Sequence, residues 1–307
     1  MHIVTAGTAY IDIDAYGASI ALAELLRLQG EDALAASTAP CNASVPPSLQ
    51  KLGLQFETQY RPSAGDVFTI VDLSDPKHFD FGANVQNVIG VIDHHLGFQD
   101  FWQGKLGTKA HIEFIGAACT IVYELWRGSG LLEKMSSSSA TVLACGILDN
   151  TLNLKARITT TRDTAAYAQL AKHAKLPADW PARYFSECQQ YITTQTRQAL
   201  ANDAKIIHYP GQPLPLHVGQ LALWEAPDFL RTFTPLIREV LGTQGQTWFM
   251  NLIDIHSGKS IFFCEDEALR AWLAKLLGVS FMGATATADR MWLRKEIFKR
   301  ASDKHVP

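Results

Sequence analysis

Val88-Ile89-Gly90-Val91-Ile92-Asp93-His94-His95 is the segment of this 307-residue chain from which the architecture can be read most directly. Its first five residues are apolar and predict a buried β-strand, and three polar residues follow where that strand ends. A second apolar run, Val67 to Val71, ends in the same way at Asp72. Continuous apolar strands separated by helices are typical of a parallel sheet covered on both faces. We therefore predict an α/β fold with a polar site beyond the carboxyl ends of these strands.

The flanking sequence continues this alternation of strands and helices. Residues 2–7 predict a short buried strand, and residues 15–29 predict a helix that ends at Gly30. The apolar segment 140–148 fits either a strand or a helix. The four serines at 136–139 favour a helix because serine is a good N-cap, although they could also form a flexible linker. Residues 161–204 are predicted to be helical, with interruptions at Pro177 and Pro181.

A second set of strands and helices follows a turn-rich break at residues 209–213. The predicted strands are 216–221, 248–253 and 260–264, and the predicted helices are 267–277 and 289–299. We place the domain boundary near residue 195. The prediction is thus a parallel-sheet domain at 1–195, followed by a smaller α/β domain at 196–307.

Composition narrows the class of protein. The net charge of −3 argues against long nucleic acids, whose binding relies on broad basic surfaces, but it permits a small anionic substrate. The five cysteines are scattered and form no CxxC pair, which favours a reducing compartment. The sequence shows neither a secretory signal at its start nor an apolar stretch of 18 residues. We therefore expect a cytoplasmic protein that does not enter membranes.

Five aspartates are the candidates for chemistry: Asp12, Asp14, Asp72, Asp93 and Asp149. Asp12 and Asp14 lie two residues apart in a predicted loop after the first strand. A single aspartate at the end of a strand is usually a turn or cap residue, but several meeting at one sheet edge would repel one another unless cations neutralise them. Carboxylates supplemented by imidazole suit Mn²⁺ or Mg²⁺. The pattern therefore predicts a pair of divalent ions.

These residues resemble the motifs of the DHH phosphoesterase superfamily. Asp93-His94-His95 is similar to its defining triplet, and Asp12-Ile13-Asp14 and Val71-Asp72 are similar to its first two motifs. Residues 116–122 resemble the stretch of the family that is rich in glycine, alanine and threonine, and residues 146–151 resemble its fourth motif. The five motifs occur in the family's order across about half of the chain.

The second half resembles the DHHA2-type C-terminal domain of family II inorganic pyrophosphatases and exopolyphosphatases. It lacks the Gly-Gly-Gly-His element of the DHH nucleases, and the similar segments are 203–205, 217–220, 253–255 and Arg294-Lys295. One position departs from the pyrophosphatases. Thr8 lies four residues before the first aspartate, where they have a histidine ligand and the prune-like branch has asparagine.

The resemblance implies a role for each site residue. Asp12 would bind a first metal, Asp14, His94 and Asp149 a second, and Asp72 both. Asp93 would orient the metal shell, and His95 would contact the substrate. The remaining implied phosphate-binding residues are Lys205, Arg294 and Lys295. An alternative of equal weight to phosphate binding is that these cations only form a solvated basic helix face. That face would carry Arg290, Arg294, Lys295 and Lys299.

The implied function is hydrolysis of a phosphoanhydride, either pyrophosphate or polyphosphate. The resemblance implies that a hydroxide bridging two divalent metals attacks phosphorus in a cleft between the two domains. Mn²⁺ is the first candidate metal, and Mg²⁺ and Co²⁺ are alternatives. Two other functions stay open: a phosphodiesterase acting on small nucleotides or short oligonucleotides, and a catalytically inactive DHH protein, which Thr8 motivates. The resemblance also suggests a homodimer formed through an edge strand of the first domain.

Overall fold

The chain folds as two compact units, Met1–Pro181 and Ala182–Pro307. This computed structural model describes residues 1–208, 215–242 and 247–303, so the turn-rich break predicted at 209–213 lies outside the described residues. The two units divide near the start of a helix that spans Trp180–Thr194, whereas the boundary predicted near residue 195 falls just beyond the end of that helix. Among the described helices, none is both long and apolar enough to cross a bilayer.

The first unit contains a parallel six-stranded sheet, which confirms the predicted α/β fold. The strand order is β3-β2-β1-β4-β5-β6. The strands are β1 (His2–Thr5), β2 (Ala33–Ala36), β3 (Phe56–Glu57), β4 (Val67–Val71), β5 (Val88–Asp93) and β6 (Ala110–Ile112). Strands β4 and β5 are the two apolar runs read from the sequence. Because they are parallel neighbours, with Val71 paired to Ile92, the polar residues that follow them emerge at one edge.

Helices of the first unit cover the sheet and bury its apolar side chains. They are α1 (Ile13–Leu28), α2 (Pro47–Gln50), α3 (Gln99–Leu106), α4 (Ala118–Gly128), α5 (Ser137–Asn150) and α6 (Thr161–His173), and α7 (Trp180–Thr194) crosses into the second unit. Trp102 of α3 is fully buried and packs in one cluster with Phe68 and Val91 of the sheet. The predicted helix at 140–148 is confirmed, since Ser136 caps α5 by accepting a hydrogen bond from Ser139.

The prediction that Asp12 and Asp14 share a loop is wrong for Asp14. Helix α1 begins at Ile13, two residues before its predicted start, so Asp14 lies in the first helical turn. The physical reason is capping: Asp12 takes extended backbone angles, and its side chain accepts a hydrogen bond from the Ala15 amide. Asp12 is therefore a cap and a candidate ligand at the same time.

The second unit contains a mixed six-stranded sheet in the order β11-β12-β10-β9-β8-β7. Its strands are β7 (Lys205–Ile207), β8 (Leu216–Leu223), β9 (Trp248–Asp254), β10 (Lys259–Phe263), β11 (Phe281–Met282) and β12 (Thr285–Ala288). Its helices are α8 (Thr196–Asp203), α9 (Ala226–Gly242), α10 (Glu267–Leu277) and α11 (Arg294–Asp303). Helix α10 has the predicted bounds, and the predicted second α/β domain is confirmed.

Two helix predictions in the second half are wrong in their bounds. The helix predicted at 289–299 begins only at Arg294, because Trp292 donates a hydrogen bond to the Ser260 hydroxyl and extends the chain along β10. Pro181 does not interrupt a helix, since it lies in the first turn of α7, where a missing backbone N–H leaves no hydrogen bond broken.

Candidate metal centre

Asp72 and Asp93 lie at the carboxyl ends of β4 and β5, as the sequence predicts. The Asp72 amide still donates to the Ile92 carbonyl at 2.8 Å, so the residue is held by the end of the sheet. Its φ of +57° lies in the left-handed region, which is uncommon for a residue with a side chain. Such backbone angles cluster at functional sites, where the surrounding structure maintains them.

His94 follows β5 and presents a ring nitrogen to Asp72. Its Nδ1 lies 3.1 Å from the Ile115 carbonyl oxygen, which can only accept a hydrogen bond. In the neutral imidazole, Nδ1 therefore carries the proton and Nε2 keeps its lone pair. A backbone carbonyl that fixes the tautomer in this way is the common arrangement for a histidine that binds metal.

The Asp72 carboxylate is buried without a full set of donors. Its Oδ1 has no hydrogen-bond partner among the described residues, and it lies 3.2 Å from His94 Nε2. Burial, and then the charges of Asp12 and Asp14, raise the pKa of Asp72 well above its usual value. Burial, and then Asp14, likewise raise the pKa of Asp12, which lies at hydrogen-bonding range of Asp72. Acceptors placed so closely need a proton or a cation among them.

A divalent ion fits this donor set. One oxygen of Asp72 and one nitrogen each of His94 and His95 lie within 4.8 Å of one another. The Asp12 carboxyl, next to Asp72, supplies a further oxygen. Oxygen donors combined with imidazole suit Mn²⁺ and related divalent ions. The orphaned Asp72 oxygen and the His94 lone pair are the features that a cation would satisfy.

Asp93 orients His95 by hydrogen bonds, and it is not among the residues grouped around the candidate metal position. One oxygen of Asp93 accepts hydrogen bonds from the His95 amide at 3.0 Å and from its Nδ1 at 2.9 Å. Burial opposes ionisation of Asp93, but the hydrogen bonds and charge of His95, together with a hydrogen bond from Ser74, lower the pKa of Asp93. The hydrogen bond between His95 and Asp93 raises the pKa of His95. The His95 side chain itself is 60% exposed.

Asp14 lies in helix α1 but caps helix α4, which is distant from it in sequence. Its two oxygens accept hydrogen bonds from the amides of Ala118 and Cys119, each at 2.8 Å. These amides open helix α4, whose own cap residue, Ala117, has no side-chain acceptor. The first amides of a helix lack partners within it, and its positive end favours an anion. Asp14 is thus a buried anchor between α1 and α4.

Sequence reasoning missed Asn150, the last residue of α5. Its side-chain amide donates to Asp14 Oδ2 and lies 3.5 Å from His94 Nε2. Asp149, the ligand predicted from the fourth motif, is half-buried one residue earlier and stays a prediction. Consecutive helical residues point about 100° apart, so the two side chains leave the helix in different directions. Only the adjacency to Asp149 marks Asn150 in the sequence.

Helix α5 approaches Asp14 closely because residue 146 is glycine. A Cβ at Gly146 would lie 2.5 Å from Cys119 Sγ and 3.1 Å from the Asp14 Cα. We expect Gly146→Ala to lower the free energy of unfolding by about 1–3 kcal/mol, since the crowded atoms must shift. Urea unfolding measures this. Gly104→Ala, at an exposed position of α3 where a Cβ would meet no atom of the described residues within 4 Å, is the control and should not destabilise. Equal effects of the two changes would contradict the close approach.

The predicted phosphate-binding residues of the second unit have different surroundings. Lys205 and Lys295 are exposed. The Arg294 side chain is only 12% exposed, and its two terminal nitrogens bind the two carboxylate oxygens of Asp203 at 3.0 and 3.2 Å. Nη1 also donates to the carbonyls of Asp203 and Val218. Arg294 therefore joins α11 to α8 and β8, and a role in phosphate binding stays a prediction.

We expect Arg294→Ala to lower the free energy of unfolding by roughly 1.5–3 kcal/mol, because hydrogen bonds to a charged group are lost and the Asp203 carboxyl loses its guanidinium partner. Lys295→Ala, one residue along the same helix, is the control and should change it by less than about 0.5 kcal/mol. Thermal or urea unfolding of both variants measures the difference. An unchanged stability of the Arg294 variant, with a raised KM, would instead indicate that the guanidinium serves substrate.

Comparison with known families agrees with this geometry. A model described as "DHH family, N-terminal domain" matches residues 2–147, a range that includes Asp12, Asp72 and the Asp93-His94-His95 triplet. Residues 2–147 of the chain belong to the DHH family. The matched range contains the whole sheet of the first unit, so the candidate metal centre lies within the DHH domain.

Curated relatives of this chain are named as probable pyrophosphatases. It is 30% identical over 166 residues to a "probable manganese-dependent inorganic pyrophosphatase" of Streptococcus mutans, a match that covers 53% of this chain and 52% of the relative. The chain thus spans about half the length of that relative. A protein of the same name from Lactobacillus helveticus is 24% identical over 301 residues, covering 96% of this chain and 88% of the relative.

A solved structure supports the fold of both units. The structure of a putative family II inorganic pyrophosphatase from Methanococcus jannaschii matches with a TM-score of 0.65 at 17% identity. The match covers 98% of this chain and 100% of that chain. At this identity the likeness concerns the fold alone.

Proposed function

We propose that this chain hydrolyses a phosphoanhydride, inorganic pyrophosphate or polyphosphate, with the help of divalent metal held by the DHH domain. The observation that supports this most is the buried Asp72 Oδ1, which has no donor in the described part of the chain and lies 3.2 Å from His94 Nε2. The curated relatives are named as manganese-dependent pyrophosphatases, so Mn²⁺ is the first metal to supply. A bound divalent ion would polarise a phosphate oxygen and lower the pKa of water.

Different residues of the chain would bind the metal, donate a proton and neutralise phosphate. Asp12, Asp72 and His94 would hold the ion, and the Ile115 carbonyl orients the His94 ring. His95 presents a largely exposed imidazole whose pKa is raised by its hydrogen bond to Asp93, so it offers a proton to an anionic phosphate oxygen. Asp93 fixes the ring of His95 in that position. Lys205 and Lys295 are proposed to neutralise the released phosphate.

The sequence predicts two ions bridged by Asp72, and the two positions differ in their donors. The first is predicted at Asp12 and Asp72. His94 is predicted for the second, but we propose it for the first because its Nε2 lies 3.2 Å from Asp72 Oδ1. The second depends on Asp14, whose oxygens already accept protein hydrogen bonds. Location of the active site in a cleft between domains, and a homodimer, stay predictions from the sequence.

Phosphate release from pyrophosphate and from tripolyphosphate tests the proposal. The purified chain is first stripped with a chelator and then supplied separately with Mn²⁺, Mg²⁺ or Co²⁺. We expect release from at least one of the two substrates that depends on added metal. Release from neither substrate, alongside turnover of a dinucleotide, would indicate a phosphodiesterase. A chain inert toward all three substrates would indicate a DHH protein without catalytic activity.

A further inference from the structure

The Asp14 carboxylate is already satisfied by protein donors. It is fully buried and accepts hydrogen bonds from the amides of Ala118 and Cys119 at the start of α4. The side chain of Asn150 supplies a third donor, to Oδ2. Three donors and the positive end of a helix compensate the charge of a carboxylate without any cation.

The orientation of Asn150 follows from its neighbour. A carboxylate oxygen only accepts hydrogen bonds, so the amide nitrogen of Asn150, and not its oxygen, faces Asp14. The same nitrogen lies 3.5 Å from His94 Nε2. An N–H group carries a partial positive charge and offers no lone pair to a cation. The amide therefore contacts both of the side chains, Asp14 and His94, that the sequence predicts for the second ion.

Among the described residues, the surroundings of Asp72 and Asp12 offer fewer hydrogen-bond donors than those of Asp14. Asp72 Oδ1 has no donor among the described residues, and the Asp12 carboxyl lies beside it. Here the acceptors outnumber the donors, and a single divalent ion would balance them. The position beside Asp72 therefore lacks compensating positive charge, whereas the position beside Asp14 already has it.

We infer that this chain holds one resident divalent ion, at Asp12, Asp72 and His94, and that Asn150 takes the place of a second ion beside Asp14. The inference rests on the proposed metal centre and specifies its occupancy. It assigns to Asn150 a positioning role: its amide donates hydrogen bonds where the two-ion prediction places a cation. It also predicts that restoring a carboxylate at this one position restores the second ion.

Metal content of the whole chain tests this directly. Protein stripped with a chelator is dialysed against buffered free Mn²⁺, and bound metal is measured by mass spectrometry. We expect one Mn²⁺ per chain in the wild type and two in Asn150→Asp, whose new carboxylate would face Asp14 and need a cation. Asn202→Asp, the same change at an exposed position of α8, is the control and should keep one.

The electron paramagnetic resonance spectrum of bound Mn²⁺ gives a second readout that does not depend on activity. An isolated ion gives a six-line spectrum, expected in the wild type, whereas two ions sharing a carboxylate are exchange-coupled, as expected in Asn150→Asp. Added Mn²⁺ should also raise the melting temperature of this variant more than that of the wild type, because ligand binding stabilises the folded state.

Two coupled ions in the wild type would overturn the inference, and so would one ion in a folded Asn150→Asp. If that variant does not fold, the wild-type spectrum alone decides between one ion and two. The proposed function is tested separately, by phosphate release. A wild-type chain that binds two ions and releases phosphate would contradict the inference but support the proposed function. A wild-type chain that binds one ion and releases no phosphate would support the inference but contradict the proposed function.

Discussion

Asp72→Asn is expected to reduce pyrophosphate or tripolyphosphate hydrolysis by at least about 10²–10³-fold, the loss typical of removing one preorganised electrostatic contact. The change keeps the shape of the side chain but removes the charge from the oxygen that faces His94 Nε2. The affinity for Mn²⁺ should fall with it. Isothermal titration with Mn²⁺ and the kcat/KM of phosphate release measure the two effects.

The same change should stabilise the metal-free protein. In the absence of metal, the Asp72 carboxylate is destabilised by burial and by its neighbours Asp12 and Asp14, which is why its pKa is raised. Removing that charge relieves both effects, so the melting temperature of chelated Asp72→Asn should exceed that of chelated wild type. Asp100→Asn, at an exposed position of α3, is the matched control and should change neither activity nor melting temperature. Unchanged Mn²⁺ affinity in Asp72→Asn would contradict the proposed centre.

Asp14→Ala is expected to lower the free energy of unfolding by about 2–5 kcal/mol, even without metal. The change leaves two buried amides, of Ala118 and Cys119, without an acceptor, and each unsatisfied group contributes about 1–3 kcal/mol. Asp12→Ala is the matched comparison. Asp12 accepts one helix-capping hydrogen bond, from Ala15, so its loss should lower stability by about 1 kcal/mol or less.

Urea unfolding in the presence of chelator measures both variants on the metal-free protein. A large effect at Asp14 with a small one at Asp12 would support Asp14 as an anchor of α4 and Asp12 as a ligand with little structural role. An Asp14 variant that is no less stable than the Asp12 variant would contradict the capping role. It would then leave the Asp14 carboxylate available for a second ion.

The sheet of the first unit could be predicted because its signals are local. The apolar runs before Asp72 and Asp93 are long enough to specify buried strands, and parallel neighbours necessarily end at one edge. The tautomer of His94 could not be predicted in the same way. It depends on the carbonyl of Ile115, 21 residues further along the chain. A contact of this kind exists only once the loop after β6 has packed.

The roles of Asp14 and Asn150 could not be predicted from the local sequence for the same reason. Asp14 meets the amides of α4 more than a hundred residues away, and nothing in its own segment indicates that acceptor role. In the fourth motif, Asp149 and Asn150 are both polar and adjacent, so the sequence alone favours the carboxylate. Which of them faces Asp14 depends on the rotation of α5, and Gly146 allows that helix to lie close to α1.

Diffraction from crystals soaked in Mn²⁺, recorded at the manganese absorption edge, tests the central claim that Asp72 and His94 hold a catalytic metal. We expect an anomalous peak within bonding distance of Asp72 Oδ1, His94 Nε2 and the Asp12 carboxyl, and an Asn150 side chain that remains hydrogen-bonded to Asp14. Manganese bound elsewhere in the chain, with no peak between Asp72 and His94, would contradict it.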